Sequence, residues 1–274
     1  MTNNKMVKVF CAIIVLVSLL FADEMLQPRR LVDAHTAGVL PKASYDFDSR
    51  IFSAGDPQLG AGIVMGIAVG VTNRLNIGIS YGGEGIVGRG KNAKFNPLPG
   101  WLIKYRIFEE NYFWPGFALG YDHQGYGGLA DTNQFDYRGY IYKSPGFFLA
   151  ISKNYLLLQK VQFGLHAMVN YSMEDYKEVH WPNVFAGIDL ALNEELAVVC
   201  EYDFGLNIKD LRADEHAVYG QLDEGFLNAG LRWAFSPNFF IEFDAKDVLE
   251  NRKRKNGSTF GWGREIRFVY FTQF

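Results

Sequence analysis

The chain has 274 residues, a formal net charge of -3, and 49% hydrophobic, 16% aromatic and 21% charged residues. That balance excludes an electrostatic case for nucleic acid, and this many Phe and Tyr exclude a disordered chain. A mean hydropathy of -0.05 excludes a bundle of membrane helices, each of which needs about 20 consecutive apolar residues.

Lys5 and Lys8 precede an apolar run, Val9 to Phe21, that is too short to span a bilayer, and Ala22 offers a small residue for cleavage. Residues 1–22 therefore read as a signal peptide. Cys11 would leave with it, so Cys200 has no intramolecular partner and reads as a small buried or lipid-facing thiol. Residues 23–43 read as a short periplasmic or lumenal segment, and residues 44–274 as one outer-membrane β-barrel.

From residue 44 onward, apolar and polar residues alternate with period two, the signature of strands. About twelve strands are expected, near 44–53, 61–71, 75–83, 98–108, 112–123, 138–152, 160–172, 183–192, 195–207, 225–235, 238–248 and 264–274. Tight joints such as Thr72-Asn73-Arg74 and Asn193-Glu194 alternate with long polar ones such as 85–97 and 208–224. Lys153-Asn154 reads as the opening of a further joint. Short periplasmic turns and long extracellular loops mark a transmembrane barrel, so the fold class is all-β, a single closed antiparallel barrel. Closure is expected between 44–53 and 265–274. Glycines crowd the inner phase (Gly66, Gly78, Gly120, Gly164, Gly187, Gly230), leaving room for bulkier inward neighbours. Trp101, Trp114, Trp181, Trp233 and Trp262 stand at or near expected strand ends, where amphipathic rings meet the membrane boundary.

The inward phase carries Lys104, Arg106, Asp122, His166, Asp189, Glu201, Asp203, Arg232, Glu242, Asp244, Lys246, Glu265 and Arg267. Both signs are mixed and no single-sign ring emerges, so these residues are expected to line the lumen and pair across it. Phe268, Tyr270 and Phe274 end the chain as an alternating aromatic strand, similar to the signal that the barrel-assembly machinery recognises in bacterial outer-membrane proteins. Arg252, Lys253, Arg254 and Lys255 form a basic run in the last long loop. It is either solvated surface or a contact for lipopolysaccharide phosphates or an acidic polymer.

Catalysis has little support in the sequence. Twelve-stranded barrels include a lipid-degrading class with a Ser–His pair on the lipid-facing wall, yet no serine stands beside a histidine on the outer phase here. The five histidines follow no metal-ligand spacing. Neither an enzyme nor a cofactor nor a metal is expected.

Trp101 to Asp122 (WLIKYRIFEE, then YFWPGFALGYD), Gln124-Gly125-Tyr126-Gly127 and Ser144 to Lys153 (SPGFFLAISK) resemble the barrel repeat of the YjbH type. Those are outer-membrane proteins linked to exopolysaccharide production in Gram-negative bacteria. The resemblance implies a porin-like conduit or accessory barrel connected with solute or exopolysaccharide passage. A non-conducting barrel or surface receptor with functional loops is the alternative. Partners implied are outer-membrane lipid and lipopolysaccharide, the barrel-assembly machinery and a polysaccharide, with no nucleic acid.

Overall fold

The computed structural model describes residues 28–274 except 54–60, 89–92, 97, 127–139, 141, 158–160, 174–181, 207–224, 253–257 and 260. The expected signal peptide, Trp181, Lys253, Arg254 and Lys255 therefore lie outside the described residues.

Among the described residues, thirteen strands form one antiparallel sheet: β1 (Ser44–Ser53), β2 (Ala61–Gly70), β3 (Leu75–Val87), β4 (Lys94–Phe95), β5 (Gly100–Phe108), β6 (Gly116–Asp122), β7 (Gly146–Leu157), β8 (Val161–Ser172), β9 (Pro182–Ala191), β10 (Leu196–Asp203), β11 (Phe226–Ser236), β12 (Phe239–Lys246) and β13 (Gly263–Gln273). β4 is a two-residue flap on β3, and the other twelve close a barrel. Closure joins β1 to β13, from Ser44 opposite Gln273 to Ser53 opposite Arg264, while β1 pairs on its other edge with β2. Each of these twelve strands pairs on both sides, as a hydrocarbon surrounding demands of backbone N–H and C=O groups.

The faces are inverted relative to a water-soluble protein. Met65, Ile79, Ile103, Leu119, Leu149, Leu165, Phe243 and Tyr270 point outward and are exposed. Buried on the inner face are Asp46, Arg50, Asn76, Lys104, Glu201, Glu242 and Arg267. In β13, Glu265 and Arg267 turn inward while Ile266 and Tyr270 turn outward, because successive side chains alternate across a pleated sheet. A wall that is apolar outside and polar inside is the surface of a barrel that crosses a bilayer.

Side-chain caps hold the tight joints at one end of the barrel. The Thr72 hydroxyl accepts the amides of Arg74 and Leu75, and the Asn193 carbonyl accepts those of Glu195 and Leu196. Asn111 does the same for Phe113 and Trp114 at 2.9 Å each. This last cap corrects a boundary: β6 starts at Gly116 and not at 112, since Asn111 to Trp114 is a closed turn. A second correction concerns Lys153-Asn154, which continues β7 opposite Leu165 and Gly164. Asn154 is polar because it sits on the inner face, where both its amide and its side-chain NH2 donate to the Glu110 carboxylate.

The lumen is not empty. Residues 28–40 enter it at the short-turn end, beside the start of β1, and climb as a hairpin stitched by a bridge between Arg30 and His35. Leu31, Val32, Ala34, Ala37 and Leu40 are all at most 2% exposed. They rest on an apolar patch of the inner wall: Ala34 joins Leu102, Phe148, Ala150, Met168 and Phe185, and Leu31 and Val32 join Val199. Small wall residues admit the hairpin. A side chain on Gly187 would come within 2.5 Å of the Leu31 methyl, and one on Gly70 would strike the Pro41 carbonyl.

Candidate functional site

The site is the interior where the hairpin meets the wall. From the short-turn end upward, the Leu40 amide donates to Asn76 Oδ1 at 3.1 Å, and the Ala37 amide donates to Ser152 Oγ at 2.8 Å. At the turn of the hairpin, the Asp33 and Ala34 amides both donate to one Glu201 oxygen, at 2.9 and 2.8 Å. Lys104 Nζ reaches the carbonyls of Arg29 and Gly38, at 3.2 and 2.5 Å.

Charge fixes the rest. Asp122, at the long-loop end of β6, receives Arg30 at 2.9 Å, His35 at 2.8 Å and Lys143 at 2.8 Å. Asp33 pairs with Lys246 at 2.7 Å and accepts the Tyr126 hydroxyl, while Arg29 pairs with Asp46. The His35 ring lies flat on Phe148, with centroids 4.1 Å apart and planes 7° from parallel. Burial holds the Lys143 ammonium, in the loop before β7, down at about 8 against the pull of Asp122.

Each residue assigned to the lumen from its phase is placed on the inner side of the wall. Lys104, Asp122, His166, Asp189, Glu201, Asp203, Glu242, Asp244, Lys246, Glu265 and Arg267 are buried there. Arg106 sits lower, half-buried against Glu109 at 2.8 Å. Arg232 meets Glu242 at 2.5 Å, and Arg267 is 3.6 Å from the same carboxylate. Arg267 also holds Asp48, and Lys246 bridges Glu265 at 2.7 Å. Asp244, between Glu242 and Glu265 in the sheet, accepts no hydrogen bond among the described residues.

A Ser–His–Asp trio stands on the inner phase, where the outer-wall pattern of a lipid-degrading barrel gives no sign of it. On the inner face, Ser152 Oγ lies 2.7 Å from His166 Nδ1, and His166 Nε2 lies 2.5 Å from Asp189. Ser152 and His166 are cross-strand partners, and the bare Gly164 leaves the space that the His166–Asp189 contact fills. The order of groups is that of a nucleophile, base and carboxylate. Here, however, the hydroxyl also accepts the Ala37 amide and is 1% exposed, so the hairpin stands where an acyl group would have to sit. In this arrangement the trio fastens the hairpin.

At the opposite end, Arg252 is buried, with its guanidinium over Phe226 at 4.2 Å and Tyr142 at 4.7 Å. Its guanidinium lies inside the mouth of the barrel. Phe274 is 82% exposed and packs beside Tyr45, with centroids 5.1 Å apart.

No protein-family model and no curated protein matches the chain. Solved structures do resemble it at low identity. LpxR from Salmonella typhimurium is 10% identical, covers 83% of this chain and 100% of its own, and has a TM-score of 0.45. The KdgM porin, solved in complex with disordered oligogalacturonate, is 8% identical over 84% of this chain and 99% of its own, with a TM-score of 0.44. The NanC porin is 9% identical over 83% and 99%, at 0.43. The architecture described above, a closed antiparallel barrel of the outer-membrane type, stands on its own ladders and faces.

Proposed function

We propose that the chain forms a narrow conduit in the outer membrane of a Gram-negative bacterium, and that in the state described its N-terminal hairpin closes it. One observation carries this reading. The inner wall leaves room for a segment, residues 28–40, that is buried inside it and shares no strand ladder with the barrel among the described residues. A barrel built only as a scaffold could close its interior with its own side chains.

The YjbH-type resemblance supports a link to exopolysaccharide, with the barrel as an accessory to passage of a solute or polymer strand. An enzymatic role has no support from the fastened Ser152. The aromatic end of β13, with Phe268, Tyr270 and Phe274, is proposed as the handle for the barrel-assembly machinery. In the last loop, Lys253, Arg254 and Lys255 are proposed to contact lipopolysaccharide or an acidic polymer, and Arg252 is not part of that contact. The burial of the hairpin in the lumen favours a second reading, a non-conducting barrel or surface receptor that works through its loops.

Planar-bilayer recordings separate the two. The intact protein is expected to show at most rare openings, and a variant lacking residues 23–40 a steady ionic current. A folded deletion variant that stays silent would reject the conduit and leave the scaffold.

A further inference from the structure

The way the wall holds the hairpin is unusual in what it reads. Glu201 accepts two consecutive amides, Ser152 and Asn76 accept one each, and Lys104 donates to two carbonyls. Arg232 donates to a further carbonyl, that of Arg30, at 3.2 Å. These groups are main chain, spread over the whole hairpin from Arg29 to Leu40. Buried backbone groups must find partners, and strands usually supply them by pairing. Here side chains of the barrel do so one by one.

We infer that the lumen is a binding site for peptide main chain, occupied in cis by residues 28–40 and able to take the same segment as a separate peptide. Three features beyond the hydrogen bonds support this. No ladder ties the hairpin to a strand among the described residues, so it can leave without breaking the barrel. Both of its arms point to the short-turn end, where Leu40 enters and Arg29 returns to Asp46 near the start of β1. Its side chains also have seats of their own, His35 on Phe148 and Leu31 against Val199. The covalent link adds mainly effective concentration, of about millimolar order for a short connection.

The inference rests on the conduit reading only for its electrical consequence, and the test keeps the two apart. A protease recognition sequence replaces residues 41–43, the full chain is refolded, and the link is then cut. A fluorescent peptide of residues 28–40 is added in excess and its retention is measured by anisotropy, with channel current recorded in parallel. The cut barrel is expected to exchange its own segment for the labelled peptide, and the uncut barrel to take up none. Glu201→Leu in the cut barrel is expected to weaken retention at least tenfold, since two hydrogen bonds to a charged group are lost. A shuffled peptide of equal composition is expected to bind more weakly. Failure of the cut barrel to take up the peptide overturns the inference, whether its own segment washes out or stays immovable. Peptide exchange with no current at any stage overturns the conduit reading and leaves the binding site standing.

Discussion

Replacing Asp122 with Ala is expected to loosen the hairpin while leaving the barrel closed as a sheet. The carboxylate holds Arg30 and His35 of the hairpin together with Lys143 of the loop before β7, so its removal strands positive groups in a buried place. Breaking a buried pair in this way costs about 3–5 kcal/mol. Trypsin cleavage after Arg29 or Arg30 should rise at least tenfold in the refolded protein, and spontaneous channel openings should become frequent. Asp122→Asn, which keeps the shape and some hydrogen bonding, should fall between. Glu109→Ala supplies the contrast: its partner is Arg106 and its side chain is 63% exposed, where a pair contributes about 0–1 kcal/mol at most. Equal trypsin resistance in Asp122→Ala and the parent would contradict the role assigned to this carboxylate.

The second large effect concerns the outer wall. Leu119 lies mid-strand in β6, points outward between Tyr105 and Leu149, and is 46% exposed. An arginine there would face hydrocarbon, at a cost of about 2–4 kcal/mol near the bilayer midplane. Leu119→Arg should therefore lower the urea midpoint of folding into phospholipid vesicles and reduce the folded yield. Leu98→Arg, in the loop before β5, should leave both unchanged. If the two variants behave alike, the apolar band is not facing lipid.

Strand phases were legible because a lipid-facing wall must be apolar on every second residue, and closure followed from the even strand count and the apolar last strand. Boundaries failed where polarity had another cause. Asn154 read as a turn residue, yet it is an inward residue held by Glu110. Residues 112–115 read as the start of a strand, although Asn111 caps a turn there. The hairpin was harder to see, since Leu31 to Leu40 shows neither period two nor a helical face. A signal for it did exist. Leu102, Phe148, Met168, Phe185 and Val199 share the inward phase with the charges, and a water-filled lumen gives no reason for them. Such a patch needs an apolar occupant, and Leu31-Val32 followed by Ala34, Ala37 and Leu40 is the sequence that fits it. The Ser152–His166–Asp189 trio was out of reach for a different reason: three residues on three strands meet only once the register is known. Arg252 likewise looked like one of four equivalent bases, and only its position over Phe226 and Tyr142 separates it from the others.

A cross-link tests most directly whether residues 28–40 lie inside the barrel. The Ala37 methyl lies 3.3 Å from where a side chain on Gly116 would begin, close to the Cβ separation a disulfide requires. In a Cys200→Ala background, Ala37→Cys combined with Gly116→Cys should form a disulfide on mild oxidation of the membrane-embedded protein. Mass spectrometry should then find a peptide containing position 37 joined to one containing position 116. The oxidised barrel should stay electrically silent, and reduction should restore whatever openings the parent shows. Free thiols at both positions after oxidation, in a barrel shown to be folded by its heat-shifted gel mobility, would place the hairpin outside the lumen.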